Sequence, residues 1–157
     1  MGNAESLQRH GRRLLQIGAL LFLLGLVVGL VVQRFAIPRL GLSTHLLGIM
    51  QGIFLMVAGL VWPKLKLAKL ASRIGSGLAA FGCLAAWTAN LCGAMWAIGG
   101  SMVPMASGGA QGTAAQELAI RVVLRSSAVS LILAVVLMLW GLRGWVATEP
   151  NGSRPAP

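Results

Sequence analysis

Long apolar runs separated by short polar connections dominate this chain. The four runs lie at about residues 14–32, 42–62, 74–98 and 119–142. A helix rises about 1.5 Å per residue, so about 20 apolar residues cross a hydrocarbon core of roughly 30 Å. The pattern therefore predicts an all-α integral membrane protein, a bundle of four transmembrane helices.

The composition supports this prediction and outlines the domains. The chain has 157 residues, of which 57% are hydrophobic and 10% charged, far too apolar for an ordinary soluble domain. The first run is followed directly by Gln33 and Arg34, so we expect a retained helix rather than a cleaved signal peptide. We predict a basic N-terminal tail at 1–13, a transmembrane domain at 14–142 and a disordered C-terminal tail at 143–157.

Basic residues concentrate on one side of the predicted membrane. With four spans, both tails and the connection between spans two and three share a side, which holds nine Lys and Arg residues. The opposite side has Arg34 and Arg39 in its first connection and no basic residue in its second. Because cytoplasmic connections are enriched in Lys and Arg, we expect both termini to be cytoplasmic in a multi-pass inner (cytoplasmic) membrane protein.

The net charge of +10 has the same origin. The basic residues border the spans and do not form a stripe interleaved with aromatic residues, as they would in a nucleic-acid-binding surface. We therefore expect the chain to interact with the lipid bilayer and not with nucleic acid.

One histidine lies inside an apolar span. His45 is in span two, whereas the other histidine, His10, is in the basic N-terminal tail. An imidazole within a membrane is costly to bury without a partner, and His is a common metal ligand. Gly48 and Gly52 share its helical face, so the pattern predicts that His45, Gly48 and Gly52 bind a flat, bulky cofactor.

The glycines also have a simpler explanation. Gly25 and Gly29 in span one, like Gly48 and Gly52 in span two, form a GxxxG motif that lets helix backbones approach closely. We expect helix packing alone in span one. Span two differs because His45 shares the glycine face.

Two amides are predicted at one depth in the membrane. Gln51 on span two and Asn90 on span three each lie about 13 Å from the non-cytoplasmic ends of their spans. At about 100° per residue, Gln51 points roughly 120° away from His45. The histidine and this amide therefore serve neighbouring pockets or the two sides of one subunit.

Two arginines lie near the start of span four. Arg121 and Arg125 are one turn apart on a single helix face. They either extend to lipid headgroups or clamp the carboxylates of a bound group, for which the planar guanidinium is suited. Glu117, one turn earlier, is an alternative partner for Arg121.

The tryptophans indicate where the spans end, and the missing residue types limit the possible catalytic chemistry. Four tryptophans, Trp62, Trp96, Trp140 and Trp145, lie near predicted span ends, where indole rings meet headgroups, whereas Trp87 falls in the middle of span three. The chain has no Asp and no Tyr, and no span contains a carboxylate, which excludes paired-carboxylate catalysis. A catalyst built from these residues relies on an external electrophile such as a ligated metal.

Ordered motifs resemble a known family. They are RFAIPRLGLSTHLLGIMQG at 34–52, GLVWP at 59–63, and MVPMASG at 102–108 followed by Gln116 and Glu117. They resemble hydroxylaminobenzene mutase over roughly His10 to Leu142, and are more distantly similar to styrene oxide isomerase, a trimeric four-helix membrane enzyme with haem b between subunits.

The resemblance implies an isomerase that rearranges an N-arylhydroxylamine to a 2-aminophenol within one molecule, with haem iron as the Lewis acid. It implies a homotrimer in which His45 ligates the iron and Arg121 and Arg125 hold the haem propionates. Gln51 and Asn90 would be catalytic residues that orient the small aromatic substrate. Gln51 stands where the isomerase has Asn, and Asn90 follows Trp87 with a spacing one residue longer than in that relative.

Some features depart from the pattern or leave alternatives open. The pocket Tyr and Asp of the isomerase have no counterpart here. A small membrane transporter fits the size and the intramembrane polar residues, but the chain has no obvious inverted repeat or broken helix. A b-type haem electron-transfer protein needs a second axial histidine, whereas His10 lies at the opposite membrane face. A structural membrane subunit is also compatible, and the segment 99–115 is a lid or a long connection.

Overall fold

The computed structural model describes residues 2–98, 100, 105, 109 and 111–143. In these residues the chain forms four long helices: α1 Asn3–Val31, α2 Pro38–Val61, α3 Lys69–Trp96 and α4 Ala114–Leu142. Each is long and apolar enough to cross a membrane. The prediction of an all-α, multi-pass membrane bundle is confirmed. Most of the connection 99–113, and residues 144–157 of the predicted disordered tail, lie outside the described residues.

The basic N-terminal segment is helical from Asn3 onward. Helix α1 begins at Asn3 and continues without interruption through the first span. Arg, Gln, Leu and Glu are good helix formers, and buried Leu7 and Gly11 extend the buried stripe of Leu14 and Gly18 by two turns. The apolar run located the membrane span, whereas helix propensity and continued packing set the start of the helix.

The helix ends follow local chemistry. Pro38 opens α2 at a position where its missing N–H removes no helical hydrogen bond. Helix α3 ends at Ala97, which has a left-handed conformation and donates its N–H to the Gly93 carbonyl. Thr113 caps α4 in a reciprocal capping box with Gln116.

Helices α1 and α2 pack through facing glycines. A Cβ atom at Gly18 would lie 2.7 Å from the Gly52 carbonyl oxygen, and one at Gly59 would lie 2.6 Å from the Gly11 carbonyl oxygen. No side chain fits at such contacts, so the backbones touch. Close backbone contact is the packing mode available to membrane helices, which gain little from burying apolar surface in lipid.

Helix α3 is central in the bundle. It contacts α1 and α2 on one side and α4 on the other, and α4 packs mainly on α3. A buried hydrogen bond of 2.9 Å from Trp62 Nε1 to Ser72 Oγ ties the end of α2 to α3. Trp62 is fully buried, so its predicted position in the headgroup region is wrong. Trp96 and Trp140 are exposed as predicted, and Trp145 lies outside the described residues.

Candidate functional site

His45 is held by a backbone carbonyl of the neighbouring helix. Its Nδ1 donates a hydrogen bond of 2.8 Å to the Gly25 carbonyl oxygen on α1. Because a carbonyl only accepts, Nδ1 carries the proton, and in the neutral ring the lone pair is on Nε2. The ring is half-buried. This arrangement orients a histidine to ligate a metal through Nε2.

Gly29 provides the space for the imidazole. A Cβ atom at Gly29 would lie 2.5 Å from His45 Nδ1 and 2.7 Å from Cε1. The ring therefore lies directly on bare backbone of α1. The GxxxG motif of span one has a role beyond packing, because Gly25 accepts the hydrogen bond and Gly29 makes room for the ring. The motif is visible in the sequence, but its contact with His45 depends on how α1 packs on α2.

The glycine face of α2 is covered by protein. A Cβ atom at Gly48 would lie 2.8 Å from both the Gly25 Cα and the Trp87 Nε1, and one at Gly52 would lie 2.7 Å from the Phe22 nitrogen. These contacts pack α2 against α1 and α3 within the protomer. The expectation that Gly48 and Gly52 bind a cofactor stays a prediction.

Two buried polar atoms have no hydrogen-bond partner among the described residues. They are Gln51 Oε1, an acceptor, and Trp87 Nε1, a donor, in side chains only 9% and 8% exposed. The Trp87 nitrogen lies beside Gly48, one turn of α2 from Gln51. Unsatisfied buried polar atoms are costly and often mark functional sites. Gln51 was predicted as a site residue and Trp87 was not, although the position of a tryptophan in mid-span was a signal for it.

The Asn90 side chain makes a hydrogen bond within its own helix. Its Nδ2 donates a hydrogen bond of 3.0 Å to the Ala86 carbonyl oxygen one turn earlier. The side-chain oxygen and the second N–H of Nδ2 are then the groups that Asn90 can offer to a ligand. The side chain is half-buried, unlike Gln51.

The structure does not bring the two arginines to His45 within one chain. Arg121 and Arg125 are on α4, which packs on α3, whereas His45 lies between α2 and α1. Arg121 lines a cavity of about 560 Å³ together with Glu117, and Arg125 is exposed. The Glu117 carboxylate accepts the backbone N–H groups of Gly100 and Gly112, which fastens the connection before α4.

A second, apolar cavity lies between α3 and α4. Its volume is about 470 Å³, within the range of small-molecule sites. Trp96, Thr88 and Gln116 are among its lining residues, whereas His45, Gln51 and Asn90 are not. The histidine and this cavity are therefore on different parts of the protomer.

The residues around His45 fit a metal held mainly by a macrocycle. In the part of the chain that the structure describes, no three His, Cys, Asp or Glu side chains group to form a metal site. A single imidazole with its Nδ1–H bonded to the Gly25 carbonyl would suit the holding of a haem iron through Nε2.

Comparison with known proteins identifies the family. The sequence profile described as styrene oxide isomerase matches residues 10–143. The chain belongs to the styrene oxide isomerase family. The match covers all four helices and includes His45, Gln51, Trp87 and Asn90. Like other members of this family, the chain is a membrane-embedded isomerase.

Two relatives from Ectopseudomonas oleovorans are similar over most of their length. Hydroxylaminobenzene mutase HabB is 45% identical over 149 residues, covering 93% of this chain and 91% of the relative. Hydroxylaminobenzene mutase HabA is 34% identical over 125 residues, covering 80% of this chain and 93% of the relative. No solved structure matches the chain.

Proposed function

We propose that this isomerase converts hydroxylaminobenzene-type N-arylhydroxylamines to 2-aminophenols. The similarity to two hydroxylaminobenzene mutases supports this substrate class. The observation that carries the mechanism is the fixed orientation of His45, with Nδ1 bound to the Gly25 carbonyl.

The reaction is an isomerisation and needs no redox partner. The N–O bond of the substrate breaks, a C–O bond forms at the ortho carbon, and the proton lost from that carbon returns to the molecule. Product and substrate have the same atoms and electrons. The protein must therefore weaken N–O, stabilise an electron-poor aryl nitrogen and exclude water.

His45 would hold haem b through Nε2. When bound, the iron supplies a Lewis acid that polarises the hydroxylamine oxygen. The hydrogen bond to Gly25 keeps the imidazole in one tautomer and raises its basicity as a ligand. Gly29 leaves the space that the ring occupies, because a Cβ atom there would overlap the imidazole.

Gln51, Trp87 and Asn90 would orient the polar end of the substrate. Gln51 Oε1 is a free acceptor for a substrate N–H or O–H, and Trp87 Nε1 is a free donor. The Asn90 side-chain oxygen offers a further acceptor. Apolar surroundings strengthen each such hydrogen bond and disfavour attack by water.

The proposed enzyme is a homotrimer in the cytoplasmic membrane, with both termini cytoplasmic. The charge distribution of the connections supports this orientation. Because α3 separates α4 from His45, Arg121 and Arg125 would meet haem propionates across a subunit boundary and not within one protomer.

The test is an absorption spectrum and iron analysis of the detergent-purified protein, with conversion of hydroxylaminobenzene measured without NADH or oxygen. The wild type should show a Soret band and form 2-aminophenol. His45→Ala should lose both, whereas Ser43→Ala, on the same helix, should keep both. A colourless wild-type protein that still forms 2-aminophenol excludes the haem mechanism and leaves the substrate assignment intact.

A further inference from the structure

A basic cavity lies at the end of the bundle where α1 and α3 begin. Its volume is about 290 Å³, and His45, which is on α2, is not among its lining residues. Three cationic or titratable side chains from the two helices line it: His10 and Arg13 on α1, and Arg73 on α3. The proposed isomerase chemistry does not use this cavity.

The two arginines, Arg13 and Arg73, have no carboxylate partner among the residues that line the cavity. The lining residues include no Asp or Glu. Glu5, the one carboxylate that the structure describes at this end of the bundle, is exposed and does not line the cavity. Like charges that converge without a protein counterion favour binding of an anion.

The cavity changes from basic to apolar along the helix axes. His10 and Arg73 lie nearest the helix starts, whereas Ile17 and Ala80 lie seven residues deeper, about 10 Å farther into the membrane. Leu14 is also in the apolar part. A phospholipid has the same polarity along the same direction, with its phosphate at the surface and its acyl chains below.

A glycine leaves the middle of the cavity open. A Cβ atom at Gly77 would meet no heavy atom within 4 Å, unlike the tightly packed glycines of α1 and α2. Gly77 is therefore not required for helix packing. Its lack of a side chain preserves space between the basic and apolar parts of the cavity.

We propose that His10, Arg13 and Arg73 bind the phosphate of an anionic phospholipid, with an acyl chain beside Gly77, Ile17 and Ala80. Basic pockets between transmembrane helices on the cytoplasmic side are suited to such headgroups. The site is separate from the His45 site and does not depend on the proposed substrate.

The experiment measures binding to the full-length, detergent-purified protein by calorimetry. The ligands are short-chain phosphatidylglycerol, phosphatidylcholine of the same chain length, and inorganic phosphate. Wild type should bind phosphatidylglycerol at one site per chain, about tenfold more tightly than either other ligand. Equal affinity for the two lipids overturns the proposal, and phosphate binding as tight as phosphatidylglycerol identifies a soluble-anion site in its place.

Charge variants test the position of the site. Arg13→Gln combined with Arg73→Gln should weaken phosphatidylglycerol binding by about 30-fold. Arg12→Gln combined with Lys66→Gln removes the same charge from the same end of the bundle, but neither residue lines the cavity. This control should change the affinity much less. An equal loss in both pairs indicates general surface attraction and overturns the site.

A volume variant tests the lipid part independently of charge. Gly77→Leu adds a side chain whose Cβ meets no heavy atom within 4 Å, and it keeps His10, Arg13 and Arg73. It should weaken phosphatidylglycerol binding while leaving the affinity for inorganic phosphate unchanged. Unchanged phosphatidylglycerol binding in Gly77→Leu contradicts the placement of the acyl chain.

Discussion

At the scale of single residues, Gln51 combines burial with an unused acceptor. Such an atom lowers stability unless a ligand pairs with it, because its interaction with water is lost on folding. Methionine has nearly the same shape and no strong acceptor. Gln51→Met should therefore lower turnover by on the order of a hundredfold while the free energy of unfolding stays equal or rises by about 1 kcal/mol.

The matched control is Gln16→Met, the same chemical change at an exposed position of α1. It should leave turnover unchanged. The measurements are 2-aminophenol formation and unfolding in detergent. Full turnover in Gln51→Met would show that the amide has no role in catalysis. A large loss of stability with a parallel loss of activity would show that its role is structural.

Gly29 is the second residue, because its lack of a side chain makes room for the His45 ring as well as for helix packing. In Gly29→Ala the new methyl group would overlap His45 Nδ1 and displace the ring from the Gly25 carbonyl. Loss of such an orienting contact should lower haem occupancy about 10- to 100-fold. The Soret absorbance per folded protein measures this loss.

Gly18→Ala is the control, because its methyl group would clash equally closely with α2, at the Gly52 carbonyl, but away from His45. It should reduce stability and retain haem in the folded fraction. If both variants lose the Soret band to the same extent, Gly29 acts only through helix packing.

The sequence made the candidate site residues easier to recognise than their surroundings. His45 and Gln51 stand out because polar side chains are rare in an apolar span. The Gly25 carbonyl cannot be recognised in the same way, because every residue has one and only the register of α1 against α2 selects it. For the same reason, the sequence does not show which helices pack on Gly48 and Gly52.

At the scale of helices, one buried hydrogen bond joins α2 to α3. Ser72→Ala would leave the fully buried Trp62 N–H without its partner, which should cost about 1–3 kcal/mol of unfolding free energy. Thermal unfolding in detergent measures the change. Ser126→Ala, which removes a hydroxyl bonded within its own helix, should cost less. Equal losses would mean that the indole hydrogen bond contributes no special stability.

The helices themselves were predictable, but their ends were less so. Hydropathy reports where the chain is in lipid, and α1 continues for several turns beyond that region because its polar residues also favour helix. Trp62 shows the same limit. Its place near a span end suggested the headgroup region, but the turn after α2 directs the indole into the bundle, where Ser72 accepts its N–H.

At the scale of the whole molecule, α1, α2 and α3 contact one another and α4 packs mainly on α3, so two groups of predicted site residues are separated. Helix α3 lies between α4, which carries Arg121 and Arg125, and the α1–α2 pair, which holds His45. The apolar cavity is also on the α4 side of α3. In the proposed trimer, a site containing both groups is assembled from two subunits.

This arrangement predicts complementation between inactive variants. Subunits with His45→Ala still carry both arginines, and subunits with Arg121→Gln and Arg125→Gln still carry His45. When the two are co-expressed in equal amounts, random assembly should place intact halves together at about a quarter of the interfaces and restore a corresponding fraction of turnover. His45→Ala mixed with Gly29→Ala should restore none, because both changes damage the same contact within one protomer. If the arginine and histidine variants also fail to restore turnover although mixed trimers form, the arginines do not act on a neighbouring subunit's site, and extension to lipid headgroups explains them better.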